Sequence, residues 1–255
     1  MKRLLMLRGP WRIGAVLIGI ILAGAVFILT TSPAQADQFD NQADDPNPSV
    51  EKLNQFGFDE TVPSKVWQAA REGLSPFLKA IPPKQSEQYG FPPGNGFGNT
   101  SLGNPYRVMT IDPQVLMNFD VNEDIRTRLL PTQSWVFPIM QNGEPRAILT
   151  VGFLDDKWQA VAIGHAEFAR DLYSLERTWA DGKGYTTTLV RIYQAASDVL
   201  LLTKNERVDV LPMESARVCL KLGSVKDGAK ELYSVPEIVN KLAPVVEENI
   251  KQSQN

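Results

Sequence analysis

The sequence is poor in the residues on which most catalytic and metal sites depend. It contains one histidine, His165, and one cysteine, Cys219, in 255 residues. A zinc site built from several histidines or cysteines is therefore excluded. A Ser-His-Asp arrangement would have to use His165, and no Gly-x-Ser-x-Gly motif accompanies it. We expect no metal and no cofactor, and we expect His165 to cap or line the start of a helix.

The lone cysteine also excludes an internal disulfide. Stability therefore has to come from a hydrophobic core, and the chain is long enough to bury one. Residues 216–222 alternate, with Val218, Leu220 and Leu222 on one face. This alternation predicts a strand with Cys219 on its other face as a passive thiol.

Basic residues are scarce beyond residue 36. The first 36 residues hold four of the 26 lysines and arginines and none of the 29 acidic residues. The remaining 219 residues therefore carry 22 basic and 29 acidic side chains, a net charge of −7. Binding to nucleic acid requires a basic footprint, so we expect no nucleic-acid partner. We expect membrane contact only if an N-terminal anchor is retained.

The N-terminal segment 1–36 has the layout of a secretory signal peptide. A basic stretch precedes the apolar run 13–29, and a small-x-small pattern ends at Ala36. The run of 17 residues is also long enough for an uncleaved membrane anchor. We expect cleavage after Ala36, with anchoring by residues 13–29 as the alternative. Either outcome predicts export across the cytoplasmic membrane, to a periplasmic, lumenal or secreted location.

The rest of the chain predicts an arm followed by one folded domain. Residues 37–60 are rich in aspartate and contain Pro46 and Pro48, a composition typical of an acidic flexible arm. No internal repeat divides residues 61–255, so a single domain is the simplest organisation.

Periodicity within this domain predicts an α+β fold built on an antiparallel sheet. Three strands joined by short loops between residues 134 and 164 predict a meander, with an Asn-Gly turn at 142–143. Residues 195–202 also fit a helical period. Further strands are expected at 106–111, 185–193, 199–203 and 207–211, and residues 204–206 are expected to join the last two as a hairpin.

Helices near residues 63–80, 165–180 and 235–250 are expected to cover the sheet. The first should begin at Pro63 and end at Gly73, with a separate short turn from Ser75. The second should bury an apolar stripe of Phe168, Leu172, Leu175 and Trp179.

The last helix should begin with a capping box formed by Ser234 and Glu237. We expect Pro244 to kink this helix and the residues from Lys251 onward to fray.

Residues 82–105 form the least regular internal segment. Prolines, glycines and asparagines alternate there with aromatic side chains, and a loop of this length is often functional. The candidate ligand or partner contacts are Tyr89, Phe91, Phe97 and Tyr106. The alternative is a surface loop held in place by its aromatic residues.

These features favour an exported, non-catalytic binding or accessory protein of the cell envelope or extracytoplasmic space, with an envelope protein or a small ligand as its partner. An inhibitory or propeptide-like module would differ only in its partner. The main alternative is an exported hydrolase of unfamiliar type that uses carboxylates, or Cys219 with His165. The adjacent acids at 155–156 and 247–248 are interpreted as solvated surface residues rather than a catalytic pair.

Overall fold

The computed structural model describes residues 62–94, 96–222 and 231–254. The expected signal peptide and the expected acidic arm, residues 1–36 and 37–60, lie outside the described residues. Within them the chain has the α+β fold that the sequence predicts, with a nine-stranded, mostly antiparallel sheet and helices lying over it.

The strands in chain order are β1 (Thr100–Leu102), β2 (Tyr106–Ile111), β3 (Leu129–Gln141), β4 (Glu144–Leu154), β5 (Lys157–Gly164), β6 (Thr186–Ile192), β7 (Ser197–Lys204), β8 (Arg207–Pro212) and β9 (Tyr233–Ser234). The α-helices are α1 (Ser64–Ala80), α2 (Pro113–Met117), α3 (Ala166–Leu175), α4 (Glu214–Cys219) and α5 (Val235–Ser253). A π-helical turn, Glu176–Asp181, continues α3.

The sheet has the order β5-β4-β3-β2-β6-β7-β8-β9, and β1 pairs with the end of β3. All neighbouring pairs are antiparallel except β2 and β6, which meet in parallel where Met109 lies opposite Val190. This parallel contact joins the predicted meander to the C-terminal strands, so that both halves of the chain belong to one sheet.

Three two-residue turns connect the consecutive hairpin strands. In the β3–β4 turn, Asn142 and Gly143 have φ of 54° and 80°, so both central residues adopt the left-handed conformation that matches strand twist. The turns at 155–156 and 205–206 also have positive φ at both positions. The predicted meander and C-terminal hairpin are confirmed, and the helical alternative for residues 195–202 is wrong because β7 occupies that region.

Helices cover both faces of the sheet, because successive residues of a strand point to opposite sides. In β3, Trp135 and Phe137 pack with the buried side chains of α1, whereas Val136 packs with Leu172 of α3. On the α1 side, Leu129 at the start of β3 packs with buried residues of α5. The sheet is therefore the middle layer of three.

The first helix is longer than the sequence predicts. We expected Gly73 to end it, but α1 continues through Gly73 and Pro76. A Cβ atom on Gly73 would lie 2.1 Å from the Cβ of Ala160 in β5, so this glycine permits close packing rather than termination. Phe77 and Leu78 are buried, and burial of these side chains favours the continued helix.

The prediction of a strand at residues 216–222 is wrong. Residues from Glu214 to Cys219 form α4 instead. Helical geometry buries Ala216 completely and leaves Val218 69% exposed, whereas the alternation would place both residues on the same face. The short apolar run fits both periods, and packing of α4 against the sheet decides between them.

The last helix begins as predicted. The hydroxyl of Ser234 accepts a hydrogen bond from the Glu237 backbone N–H, and the Glu237 side chain accepts one from the Ser234 N–H. Helix α5 then runs through Pro244 to Ser253. Lys251 therefore lies within the helix rather than in a frayed end, and its Nζ lies 2.7 Å from a carboxylate oxygen of Glu247 one turn earlier.

Candidate binding groove

The aromatic residues proposed from the sequence lie in the interior. Tyr89, Phe91 and Tyr106 are 7%, 1% and 8% exposed, and Phe97 is half-buried with its ring 5.1 Å from that of Phe91 in an edge-on contact. Phe91 and Phe97 pack together on the α1 side, whereas Tyr106 belongs to the α3 side. Buried rings have little surface to offer a partner, so these four residues do not form one binding surface.

The described residues of the segment 82–105, which exclude Asn95, include regular elements of the fold. It begins with a 3₁₀-helix, Pro83–Tyr89, and ends in β1. Between these elements, the side-chain amide of Gln141 donates hydrogen bonds to the carbonyl oxygens of Gly96 and Gly98, each at 3.1 Å. Removal of residues 90–103 would therefore delete a sheet strand and a buried ring rather than an independent binding loop.

His165 and Cys219 belong to different helices, His165 to the start of α3 and Cys219 to the end of α4. His165 is the N-cap residue of α3, as expected, but its φ is 57° and its side chain makes no capping hydrogen bond. Desolvation lowers the pKa of His165 from its ordinary value of 6.5, and the nearby positive charge of Arg191 lowers it further. Cys219 ends α4 and packs, half-buried, against the core beneath α5.

A polar network that the sequence did not reveal connects the strands with α4. Arg191 donates to Asp198 through Nε at 2.7 Å and Nη2 at 3.3 Å. The hydroxyl of Ser215 accepts the Asp198 backbone N–H at 2.9 Å and donates to its carboxylate at 3.4 Å. The Arg191 guanidinium also lies 5.9 Å from the centre of the Phe168 ring. The network fixes α4 against β6 and β7.

A groove runs along the outer side of α3 toward the start of α4. It encloses about 430 Å³. A carboxylate oxygen of Asp171 accepts the backbone N–H of Glu214 at 3.2 Å, and this hydrogen bond holds the start of α4 beside α3. The groove is lined by Glu167, Arg170, Asp171, Ser174, Leu175, Thr178, Trp179 and Glu214.

The charge of this groove is mainly negative. Glu167, Asp171 and Glu214 supply three carboxylates, and Arg170 supplies one guanidinium. Several carboxylates around a concave surface attract a cationic group and disfavour an anionic one. The groove is thus suited to a ligand with positive charge.

The far end of the groove is aromatic. Trp179 lies in the π-helical turn, and the ring of Tyr185 meets it edge-on with the centroids 5.5 Å apart. The Lys183 ammonium lies 3.7 Å from the Trp179 ring centre, a cation–π contact. A π-helical turn is often found at a functional site because it repositions side chains within a helix.

A buried phenol and a carboxylate lie behind this turn. Glu176 accepts a hydrogen bond from the side-chain amide of Asn104 at 3.2 Å. Burial raises the pKa of Tyr106 well above its ordinary value, and the negative charge of Glu176 raises it further. These contacts connect the π-helical turn to the end of the 82–105 segment and to β2.

The predicted helix stripe is confirmed, with one addition. Leu172 and Leu175 are buried in the core, and Phe168 and Trp179 pack against it. Trp179 also lines the groove, so it contributes to both the core and the groove.

The adjacent acids at 155–156 lie in an exposed turn, and those at 247–248 lie on the exposed side of α5, as expected.

The described residues contain no group of three or more histidine, cysteine, aspartate or glutamate side chains arranged to hold a metal ion. No helix in this part of the chain is long and apolar enough to span a membrane. Comparisons with protein-family models, with curated proteins and with solved structures gave no match.

Proposed function

We propose that this chain is an exported, non-catalytic binding protein, and that the groove between α3 and α4 holds an extended basic segment of a partner protein of the cell envelope. The observation that carries the proposal is the groove itself, which places three carboxylates on one side of a tryptophan in a concave surface of about 430 Å³. The binding surface is therefore assigned to the outer side of α3 rather than to the aromatic residues of 82–105.

Electrostatics supports a basic ligand. Glu167 and Glu214 are exposed, so their charges act through water and steer a cation toward the groove more than they hold it. Asp171 is half-buried and anchors the Glu214 backbone, so its charge has a fixed position. Binding should therefore weaken as salt is added, because exposed charges are screened within about 8 Å at physiological ionic strength.

The length of the groove supports a short extended segment. Asp171 and Trp179 are eight residues apart along α3 and its π-helical turn, which corresponds to about 12 Å at the rise of a helix. An extended peptide covers that distance with about four residues. A lysine or arginine beside Asp171 would then place an apolar side chain, three or four positions away, against Trp179.

The hydrolase alternative gains no support from the described residues. Cys219 packs with the core beneath α5, whereas the charges that act on His165 are those of Arg191 and Asp198. The hydroxyl of Ser215 is hydrogen-bonded to Asp198 rather than to a histidine.

Titration calorimetry with a designed peptide tests the proposal. The probe is a terminally blocked pentapeptide with two arginines at one end and a phenylalanine at the other, and its control carries glutamates in place of the arginines. At low salt, Glu167→Lys and Glu214→Lys should each weaken binding of the arginine peptide about tenfold, equivalent to about 1.4 kcal/mol. Each variant replaces an attraction with a repulsion at the rim of the groove.

The matched control is Glu248→Lys, which makes the same charge reversal on the exposed side of α5. It should change the affinity by less than a factor of about two, because α5 covers the opposite side of the sheet from α3 and the groove. Equal weakening by all three variants, or equal binding of the glutamate peptide, would contradict recognition in the groove.

A further inference from the structure

The two edges of the sheet are built differently. One edge is β9, which has two residues and leads directly into α5. The other is β5, which has eight residues and, among the described residues, pairs with β4 alone. A long edge strand is a template for pairing unless charges, proline or a covering element protect it. In β5 the only charged residue is Lys157, at its first position, and proline is absent from it.

Strand β5 contains one extra residue relative to β4. Val151 lies opposite Ala160, whereas the preceding residue, Thr150, lies opposite Ala162. Val161 is therefore the inserted residue of a β-bulge. A bulge at an edge often discourages pairing, but here its position has another consequence.

Because of the bulge, Trp158 and Ile163, which lie on either side of it, point to the same side of the sheet. In a regular strand, Trp158 and Ile163 would point to opposite sides, because they are five positions apart. In this strand both pack with the core beneath α1. Gln159 and Ala162 lie opposite Gly152 and Thr150 of β4. These two residues alternate with the α1-facing residues of β4, so Gln159 and Ala162 share the α3 side.

We propose that β5 pairs with β5 of a second copy of this chain, antiparallel about a two-fold axis between Ala160 and Val161. This register places Trp158 opposite Ile163 of the second copy and Gln159 opposite Ala162 of the second copy. Residues opposite each other in an antiparallel pair must share a face. Both pairs satisfy this condition because the extra residue lies at the axis, which confines the mismatch to the axis itself, where Ala160 faces α1 and Val161 packs against Gly152 on the α3 side.

Charge is compatible with the same register. Lys157 lies opposite Gly164 of the second copy, so the two ammonium groups are at opposite ends of the new pairing. Seven residues separate these ends, about 23 Å along a strand, which exceeds the screening length of about 8 Å at physiological salt. The remaining side chains of the pairing are uncharged.

A second copy fits this edge better than an arbitrary extended peptide does. Any strand can supply backbone hydrogen bonds to an open edge. The face-matched pairs described above, however, arise from one sequence meeting itself about a two-fold axis, which is the commonest symmetry of soluble oligomers. The axis is perpendicular to the sheet, so both copies of α1 lie on the same side and the apolar layer beneath them continues across the junction.

Sedimentation of designed β5 variants tests the pairing and its register. The protein is purified from cells that express the full-length chain, and its mass is measured over a concentration series. The wild-type protein should approach twice the monomer mass as concentration rises. The variant Gln159→Lys, Ala162→Lys places like charges opposite each other at both symmetric positions, and it should sediment as a monomer.

The matched variant Gln159→Glu, Ala162→Lys changes the same two positions but sets opposite charges across the axis. It should remain dimeric and bind its copy at least as tightly as the wild-type chain does. Circular dichroism of each variant checks that the monomer fold is intact, and single substitutions, which face neutral partners, should dimerise. A wild-type protein that stays monomeric at every concentration would overturn the proposal. So would identical self-association of the two double variants.

Discussion

The Cβ of Ala160 lies 2.1 Å from the position that a Cβ atom would occupy on Gly73. The two residues belong to α1 and β5, and their contact sets how closely the helix approaches the edge of the sheet. An added methyl group cannot be accommodated without moving one of these elements. The pair therefore explains why a glycine is tolerated in the interior of a helix, where alanine is ordinarily favoured.

Replacement of Gly73 by alanine should destabilise the protein. Alanine is favoured over glycine within a helix by about 1 kcal/mol, but the overlap with Ala160 should reverse that sign and cost about 1–3 kcal/mol. Urea denaturation measures the change. The double variant Gly73→Ala, Ala160→Gly should recover much of the loss, because it exchanges the methyl group between the two elements. No recovery would show that the contact does not limit the approach of α1.

Two substitutions to glutamate distinguish α4 from the strand that the sequence suggested. Val218 is 69% exposed and Ala216 is fully buried. We expect Val218→Glu to change the free energy of unfolding by no more than about 0.5 kcal/mol, as for other surface positions. Ala216→Glu should cost more than about 3 kcal/mol, because it buries a charge in a packed layer. Comparable losses at both positions would favour the strand and contradict α4.

His165 should make stability dependent on pH. Because the folded state lowers the pKa of His165 below 6.5, the folded state binds fewer protons there than the unfolded state does. The resulting stability is present above about pH 6.5 and is lost as pH falls from that value through the lower pKa of the folded state. Denaturation at a series of pH values between about 8 and 5 should show this loss.

The variant His165→Asn isolates the histidine contribution. Asparagine tolerates the positive φ at this position better than other residues with a side chain do, so it removes the titrating ring without adding strain. The decline in stability below pH 6.5 should be smaller in this variant than in the wild-type chain. His165→Ala should lose stability even at neutral pH, since alanine is strained at φ 57°. Parallel pH profiles for the wild-type and asparagine proteins would contradict the lowered pKa.

Local rules in the sequence predicted the parts of the fold whose geometry they determine. Two-residue turns, Asn142-Gly143 and Asp155-Asp156, defined the meander, and Ser234 with Glu237 defined the start of α5. The length of α1 and the identity of α4 were missed because packing decided them. Glycine is typical of helix ends, but Gly73 lies inside α1 and permits its close contact with β5. The residues around Val218 fit the period of a strand and that of a helix equally well.

The groove was only partly visible in the sequence. Glu167, Arg170 and Ser174 are recognisable as the polar face of the predicted helix, but a polar face is ordinarily only solvated. Glu214 joins them through folding, because its backbone bonds to Asp171 from a segment 43 residues away. The aromatic residues of 82–105 had the composition of a binding loop, yet their apolar character reflects burial in the core.

Site-specific cross-linking tests the central claim most directly. A photoreactive residue is placed at Ser174, in the groove, or at Ser75, an exposed serine of α1 on the other side of the sheet, in cells that produce the full-length chain. The groove position should yield a cross-link to an extended partner segment that contains lysine or arginine, identified by mass spectrometry, and Glu167→Lys should lower the yield of this cross-link. Equal cross-linking from Ser75, insensitivity to Glu167→Lys, or partner segments without basic residues would contradict binding in this groove.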